Sequence, residues 1–202
     1  MTMRAVILLF EGFDLIDAGG PYEVLLTASR LLERDGLAPA YQVVLASVGG
    51  DDAVAYGGMT LTGLADASAL EDCDILVVPG TIDVACALAD AGLREAIERL
   101  GGGAALTASV CTGAFLLARA GLLADAPATT HWEDLADLAA CDEVGSVVAG
   151  VRWVDAGRVL TSGGLTSGIH LALHVVARTH SVELALRTAR QLDLDWSPDP
   201  AR

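Results

Sequence analysis

The stretch Thr107 to Trp132 reads TASVCTGAFLLARAGLLADAPATTHW, and it sets Cys111 where an apolar run of small residues meets a helical pattern. A cysteine at a strand-to-helix corner suits nucleophilic chemistry. The sharp turn pushes the side chain out at the carboxyl end of a sheet. The helix N-terminus offers backbone amides to developing negative charge and favours a thiolate. Ser109 and Gly113 are small enough to let such a turn close. The alternative is a buried cysteine packed at a strand end. Two further groups join it as candidates. Asp17, in FDLIDAGGPYEVL, follows the first strand and precedes a Gly-Gly-Pro helix start, at the edge that faces the same crevice; capping a helix is its alternative role. His131, in ATTHW, comes 20 residues after Cys111, with a plain structural histidine as its alternative.

These residues need a scaffold, and the hydrophobic pattern supplies one. Short apolar runs alternate with amphipathic segments, which predicts an α/β fold with a mostly parallel sheet flanked by helices. Strands are expected at Ala5 to Phe10, Tyr41 to Val48, Asp74 to Gly80 and Ala104 to Val110. A helix should start near Gly20, with Pro21 in its first turn. DAGLREAIERL and the segment from Thr112 read as helices, the latter with Phe115, Leu116 and Ala120 at core spacing. GGDDAVAYGGMTLTG reads as a turn and short hairpin, and VRWVDAGRVLTSGG as a hairpin turning at Asp155, Ala156 and Gly157. A long helix should run from about Thr166 and a last one through VELALRTARQLDL, followed by a loose or docked tail.

At 202 residues, one domain spanning 1–202 is expected, burying roughly 70% of its unfolded surface. The net charge of −15, with only 12 basic residues spread along the chain, argues against nucleic acid and polyanionic substrates. No uncharged run approaches the ~20 residues that cross a bilayer, and the N-terminal run resembles a buried strand more than a signal peptide, so a cytoplasmic location is expected without membrane partners. Cys73, Cys86 and Cys141 show no CxxC pairing with Cys111, so neither a zinc site nor a disulfide framework is signalled. His170 and His174 lie one turn apart, but two histidines without a third ligand make a weak metal site. No metal or cofactor is expected.

The segments LLFEGFDLIDAGGPYEVL, DILVVPG, ASVCTGAFLLARAGLLADAPATTHW and LTSGGLTSGIHLALHVV resemble the ThiJ/PfpI superfamily of the class I glutamine amidotransferase-like, flavodoxin-like fold. The motifs D-x-x-G-P-x-E-V, V-C-T-G-A-F-L-L and A-T-T-H-W look most like its isonitrile hydratase branch. Similar domains also form the sensing halves of AraC-type regulators. The resemblance implies a three-layer sandwich, commonly a homodimer, acting on a small molecule. It makes Cys111 the elbow nucleophile, Asp17 the acid that shares or relays its proton, and Thr112 the neighbour whose hydroxyl and amide assist hydration. Gly80 would offer an oxyanion-binding amide, and Thr81 and His131 would complete the substrate pocket. Two positions depart from the pattern: Thr81 replaces the second glycine of Pro-Gly-Gly, and His170 stands where a related sequence has Asp. The implied reaction hydrates an isonitrile to an N-substituted formamide. Carbonyl or amide chemistry on the same cysteine, or a non-catalytic sensing role, are the alternatives.

Overall fold

The computed structural model describes residues 2–201. In chain order the elements are β1 (Met3–Leu8), α1 (Leu15–Arg34), β2 (Tyr41–Ser47), β3 (Ala53–Val54), β4 (Thr60–Leu61), β5 (Ala65–Asp66), β6 (Ile75–Val78), α2 (Val84–Ala89), α3 (Ala91–Gly103), β7 (Leu106–Val110), α4 (Gly113–Arg119), β8 (Pro127–Ala128), α5 (Leu135–Ala139), β9 (Ser146–Val147), β10 (Trp153–Asp155), β11 (Val159–Ser162), α6 (Ser167–Thr179) and α7 (Val182–Gln191). Seven strands form one sheet in the order β10-β11-β7-β6-β1-β2-β5. Every pairing in it is parallel except β10 with β11, which is the hairpin turning through Asp155 to Gly157. None of the helices among the described residues is long and apolar enough to cross a membrane.

The central strands are near-continuous apolar runs because both faces are covered. Ile75, Val77, Ala108 and Val110 face Pro21 and Leu25 of α1 and Leu171 and Val175 of α6. Their neighbours Leu76 and Thr107 point the other way, onto Gly101 of α3. This two-residue alternation makes three layers, with α1, α6 and α7 on one side and α2, α3 and α4 on the other.

Helix α1 corrects the expectation for its start. It begins at Leu15, so Pro21 lies inside it and Asp17 is in its first turn. The Gly-Gly-Pro signal reflects a helix crossing: a Cβ on Gly20 would lie 2.8 Å from Ile169 Cγ1, so Gly20 lets α1 approach α6 closely. The tail docks, with the Trp196 indole N–H donating to the His170 carbonyl at 3.1 Å and Ala201 bridging Val151.

The chain runs from β1 outward to β2 and then returns to place β6 on the other side of β1. Open α/β sheets bind ligands at such a reversal, beyond the carboxyl ends of the strands. The loops after β1, β6 and β7 meet there.

Candidate active site

Cys111 directly follows β7 and has φ of +56°, one of four non-glycine residues among those described with positive φ. Holding a side-chain-bearing residue there costs about 1–2 kcal/mol, which the surrounding packing must supply. The turn is clamped on several sides. The Cys111 N–H is shared between the carbonyls of Ser162, the last residue of β11, and Gly163, at 3.2 and 3.3 Å. Its carbonyl accepts from Thr130 Oγ1 at 2.8 Å and from the Ala114 N–H at 3.3 Å. Gly113 must be glycine: a Cβ would lie 2.5 Å from the Val78 carbonyl oxygen and 2.8 Å from that of Pro79.

The loops after β1 and β6 are tied together over this elbow. The Asp14 N–H donates to the Gly80 carbonyl at 2.8 Å, and Thr81 Oγ1 donates to the Gly12 carbonyl at 2.8 Å. Thr112 joins the β7 and β6 loops, its hydroxyl donating to the Thr81 carbonyl at 2.7 Å and accepting the Thr81 N–H at 2.8 Å. The Thr112 hydroxyl therefore holds the 80–81 loop through the main chain of residue 81, while the Thr81 side chain, the departure from Pro-Gly-Gly, ties that loop to Gly12.

Asp17 is fully buried. Its Oδ2 accepts the Gly80 N–H at 3.1 Å, so the amide expected at an oxyanion is bonded to the acid. A Cβ on Gly80 would lie 2.8 Å from that oxygen, so glycine is needed to let the loop approach. Oδ1 is buried with no hydrogen-bond partner. Burial, and next the Asp14 charge, push the Asp17 carboxyl up from 3.8 to about 7, opposed first by the Gly80 N–H on Oδ2 and then by the neighbouring Leu165 amide and Cys111 thiol, which approach without completing a hydrogen bond.

Cys111 titrates against expectation. Burial first, and the Asp17 carboxylate second, push its thiol from 9.0 up to about 12; the Thr112 amide opposes this, while Asp14 and Asp134 add to it. The low-pKa thiol expected of a helix N-terminus is thus corrected. Helix α4 has only seven residues, and its end cannot offset desolvation plus neighbouring carboxylates. The resting pair is a neutral thiol beside an acid that titrates near neutrality, and its two protons are coupled.

His131 is brought to the same place. A Cβ on Gly164 would lie 2.2 Å from His131 Cδ2 and 3.3 Å from Cys111 Sγ, so ring and sulfur flank one glycine. His131 Nδ1 accepts the Glu133 N–H at 3.4 Å and lies 3.5 Å from Asp134 Oδ2 and 3.7 Å from Glu133 Oε2. Above the sulfur opens a cleft of about 340 Å³, lined by Asp14, Thr81, Ile82, Cys111, Thr112, His131 and Leu165 among others. Asp14, Thr130, Glu133, Asp134, Gly164 and Leu165 were not singled out from the sequence. The one available signal was the Gly-Gly of TSGG, whose second glycine is Gly164.

The other candidates lie elsewhere. His174 Nε2 pairs with Asp155 at 2.7 Å, and His170 faces the tail, so the two do not converge. Among the described residues no group of three or more His, Cys, Asp or Glu is placed to hold a metal. Cys73 is buried, Cys86 exposed and Cys141 half-buried, and all are free thiols.

A parallel α/β sandwich presenting a strained elbow cysteine against a buried carboxyl defines a class of cysteine-centred ligand site. The chain belongs to the DJ-1/PfpI family, whose model matches residues 3–178. It is 32% identical over 205 residues to an isonitrile hydratase of Pseudomonas putida, covering 99% of this chain and 81% of that protein. It is also 29% identical to the HTH-type transcriptional regulator GbdR of Pseudomonas aeruginosa, over 88% of this chain but 47% of the regulator. A ThiJ/PfpI family protein from Pseudomonas syringae has the same fold, with a TM-score of 0.84 at 23% identity, covering 98% of this chain and 77% of that one.

Proposed function

We propose that this protein is a cysteine-dependent isonitrile hydratase, converting R–NC and water to R–NH–CHO. The observation that carries this reading is the Cys111 and Asp17 pair at the base of an open cleft. The near full-length likeness to an isonitrile hydratase selects the reaction from those such a pair can run.

The titration of the pair sets the order of events. A thiol raised to about 12 is neutral at rest, so its attack needs Asp17 as the base that removes the proton. Sγ bonds to the isonitrile carbon while Asp17, as carboxylate, takes the thiol proton and returns it to that carbon, giving the thioimidate R–N=CH–S. Water then adds to the same carbon, and the proton it loses passes through Asp17 to the nitrogen, giving R–NH–CH(OH)–S–Cys111. The C–S bond breaks as Asp17 carries the hydroxyl proton of this adduct to the departing sulfur, which restores the Cys111 thiol and the Asp17 carboxylate and releases the formamide. The Thr112 amide, which already acts on the sulfur, stabilises charge during both additions.

The test is formamide production from cyclohexyl isonitrile and smaller isonitriles, beside Cys111→Ala. Turnover that vanishes in the variant supports the reading, and equal rates in both proteins overturn it. The likeness to GbdR favours a second reading, a ligand-sensing domain. Its signature is saturable binding at the cleft without turnover.

A further inference from the structure

The cleft over Cys111 is charged with one sign. Asp14, Glu133 and Asp134 line it, and among the described residues no arginine does. Basic side chains pair elsewhere: Arg4 with Asp72, Arg94 with Glu98, Arg119 with Glu143, Arg178 with Asp155 and Arg187 with Asp35. Asp14 is the N-cap residue of α1, yet its carboxylate makes no capping hydrogen bond. Behind the sulfur, the fully buried Asp17 keeps Oδ1 without a partner. His131 is the one lining group able to become cationic. Protonated between Glu133 and Asp134, it would offset one of the three rim carboxylates and leave the cleft negative.

This arrangement opposes the chemistry it surrounds. Asp14 and Asp134 both make the Cys111 thiol harder to ionise, whereas thiol catalysis needs negative charge on sulfur in the transition state. A positive group bound at the rim would cancel that penalty as it arrived. We propose that the substrate of this cleft is a small cation, an isonitrile or related electrophile with an ammonium or amidinium group beside its reactive carbon, held by Asp14, Glu133 and Asp134. The substrate thereby completes the electrostatics of the nucleophile. This proposal rests on Cys111 being the reacting group of the proposed function.

The experiment reads the charge preference of Cys111 directly. In a Cys86→Ser/Cys141→Ser background, which leaves Cys111 and buried Cys73, the protein is treated with trimethylammonioethyl and sulfonatoethyl methanethiosulfonates. Each transfers its thioalkyl group to Cys111 as a disulfide and releases methanesulfinate, and mass spectrometry gives the rates. Relative to free cysteine, the cation-to-anion rate ratio is expected to be raised about tenfold or more, corresponding to about 1.4 kcal/mol. It should fall towards that of free cysteine in Asp14→Asn/Glu133→Gln/Asp134→Asn, and also in about 1 M salt, where the Debye length is about 3 Å. Should the triple variant misfold, Glu133→Gln, at a site with 63% side-chain exposure, and the salt series give the same answer. A ratio equal to that of free cysteine, or unmoved by the substitutions and salt, overturns the proposal. Isonitrile turnover is measured in parallel: absent formamide with a raised ratio overturns the hydratase and leaves the cation preference standing. Formamide production without any preference for amine-bearing over isosteric neutral isonitriles overturns the cation and leaves the hydratase.

Discussion

Replacing Asp17 by Asn should make the protein more stable at neutral and alkaline pH and change the shape of its stability profile. The buried carboxyl is raised from 3.8 to about 7, so between those values the folded chain holds a proton that the unfolded chain has lost. Stability in the parent protein therefore falls as pH rises across that window, and levels off above about 7 once both states are ionised. Ionising this group in the fold costs roughly 4 kcal/mol at 1.36 kcal/mol per pKa unit. Asn keeps an oxygen to accept the Gly80 N–H and carries no charge, so any loss of hydrogen-bond geometry is a constant offset across pH. Urea unfolding of both proteins from pH 4 to pH 8 gives the difference curve. It should climb in favour of the variant by about 3–4 kcal/mol, corresponding to a melting shift of roughly 10 °C for a chain of this size. A flat difference curve would mean that Asp17 ionises freely in the fold, and the proton-sharing pair with Cys111 would lose its basis.

Two further outcomes follow from the packing. Cys111→Gly should be more stable than Cys111→Ala by about 1 kcal/mol, reversing the usual order, because φ of +56° strains alanine and not glycine; chemical denaturation of the two variants checks this. Asp155→Asn should destabilise by about 1–3 kcal/mol, since Asp155 joins His174 at 2.7 Å and Arg178 at 2.8 Å and so pins the β10-β11 hairpin to α6. The Asp155 carboxyl is held below 3.8, chiefly by its His174 hydrogen bond against the cost of burial. Its contribution is therefore present above about pH 4 and lost as pH falls through the lowered value, which acid unfolding of the parent and variant should resolve.

The layered fold and the elbow were legible in the linear sequence because their causes are local. Apolar runs such as ILVV, buried on both faces, alternate with amphipathic helices. A small residue after Cys111 is required wherever a strand turns at once into a helix, and Gly113 sits against the Val78 and Pro79 carbonyls for that reason. The start of α1 was misread because glycine and proline mark a turn only when nothing packs on them; here Gly20 is the contact point for Ile169. The chemistry of the site depended on what the parallel sheet brings together. Asp14, Asp17, Gly80, Cys111 and Asp134 come from distant parts of the chain, and β1, β6 and β7 place most of them on loops at one edge. A pKa is set by the water excluded and the charges gathered around a group, and neither is written in its sequence neighbours. The sequence thus determined that a cysteine would stand at the corner, while the tertiary structure alone decided that it would be a protonated thiol, backed by a half-ionised acid and ringed by carboxylates.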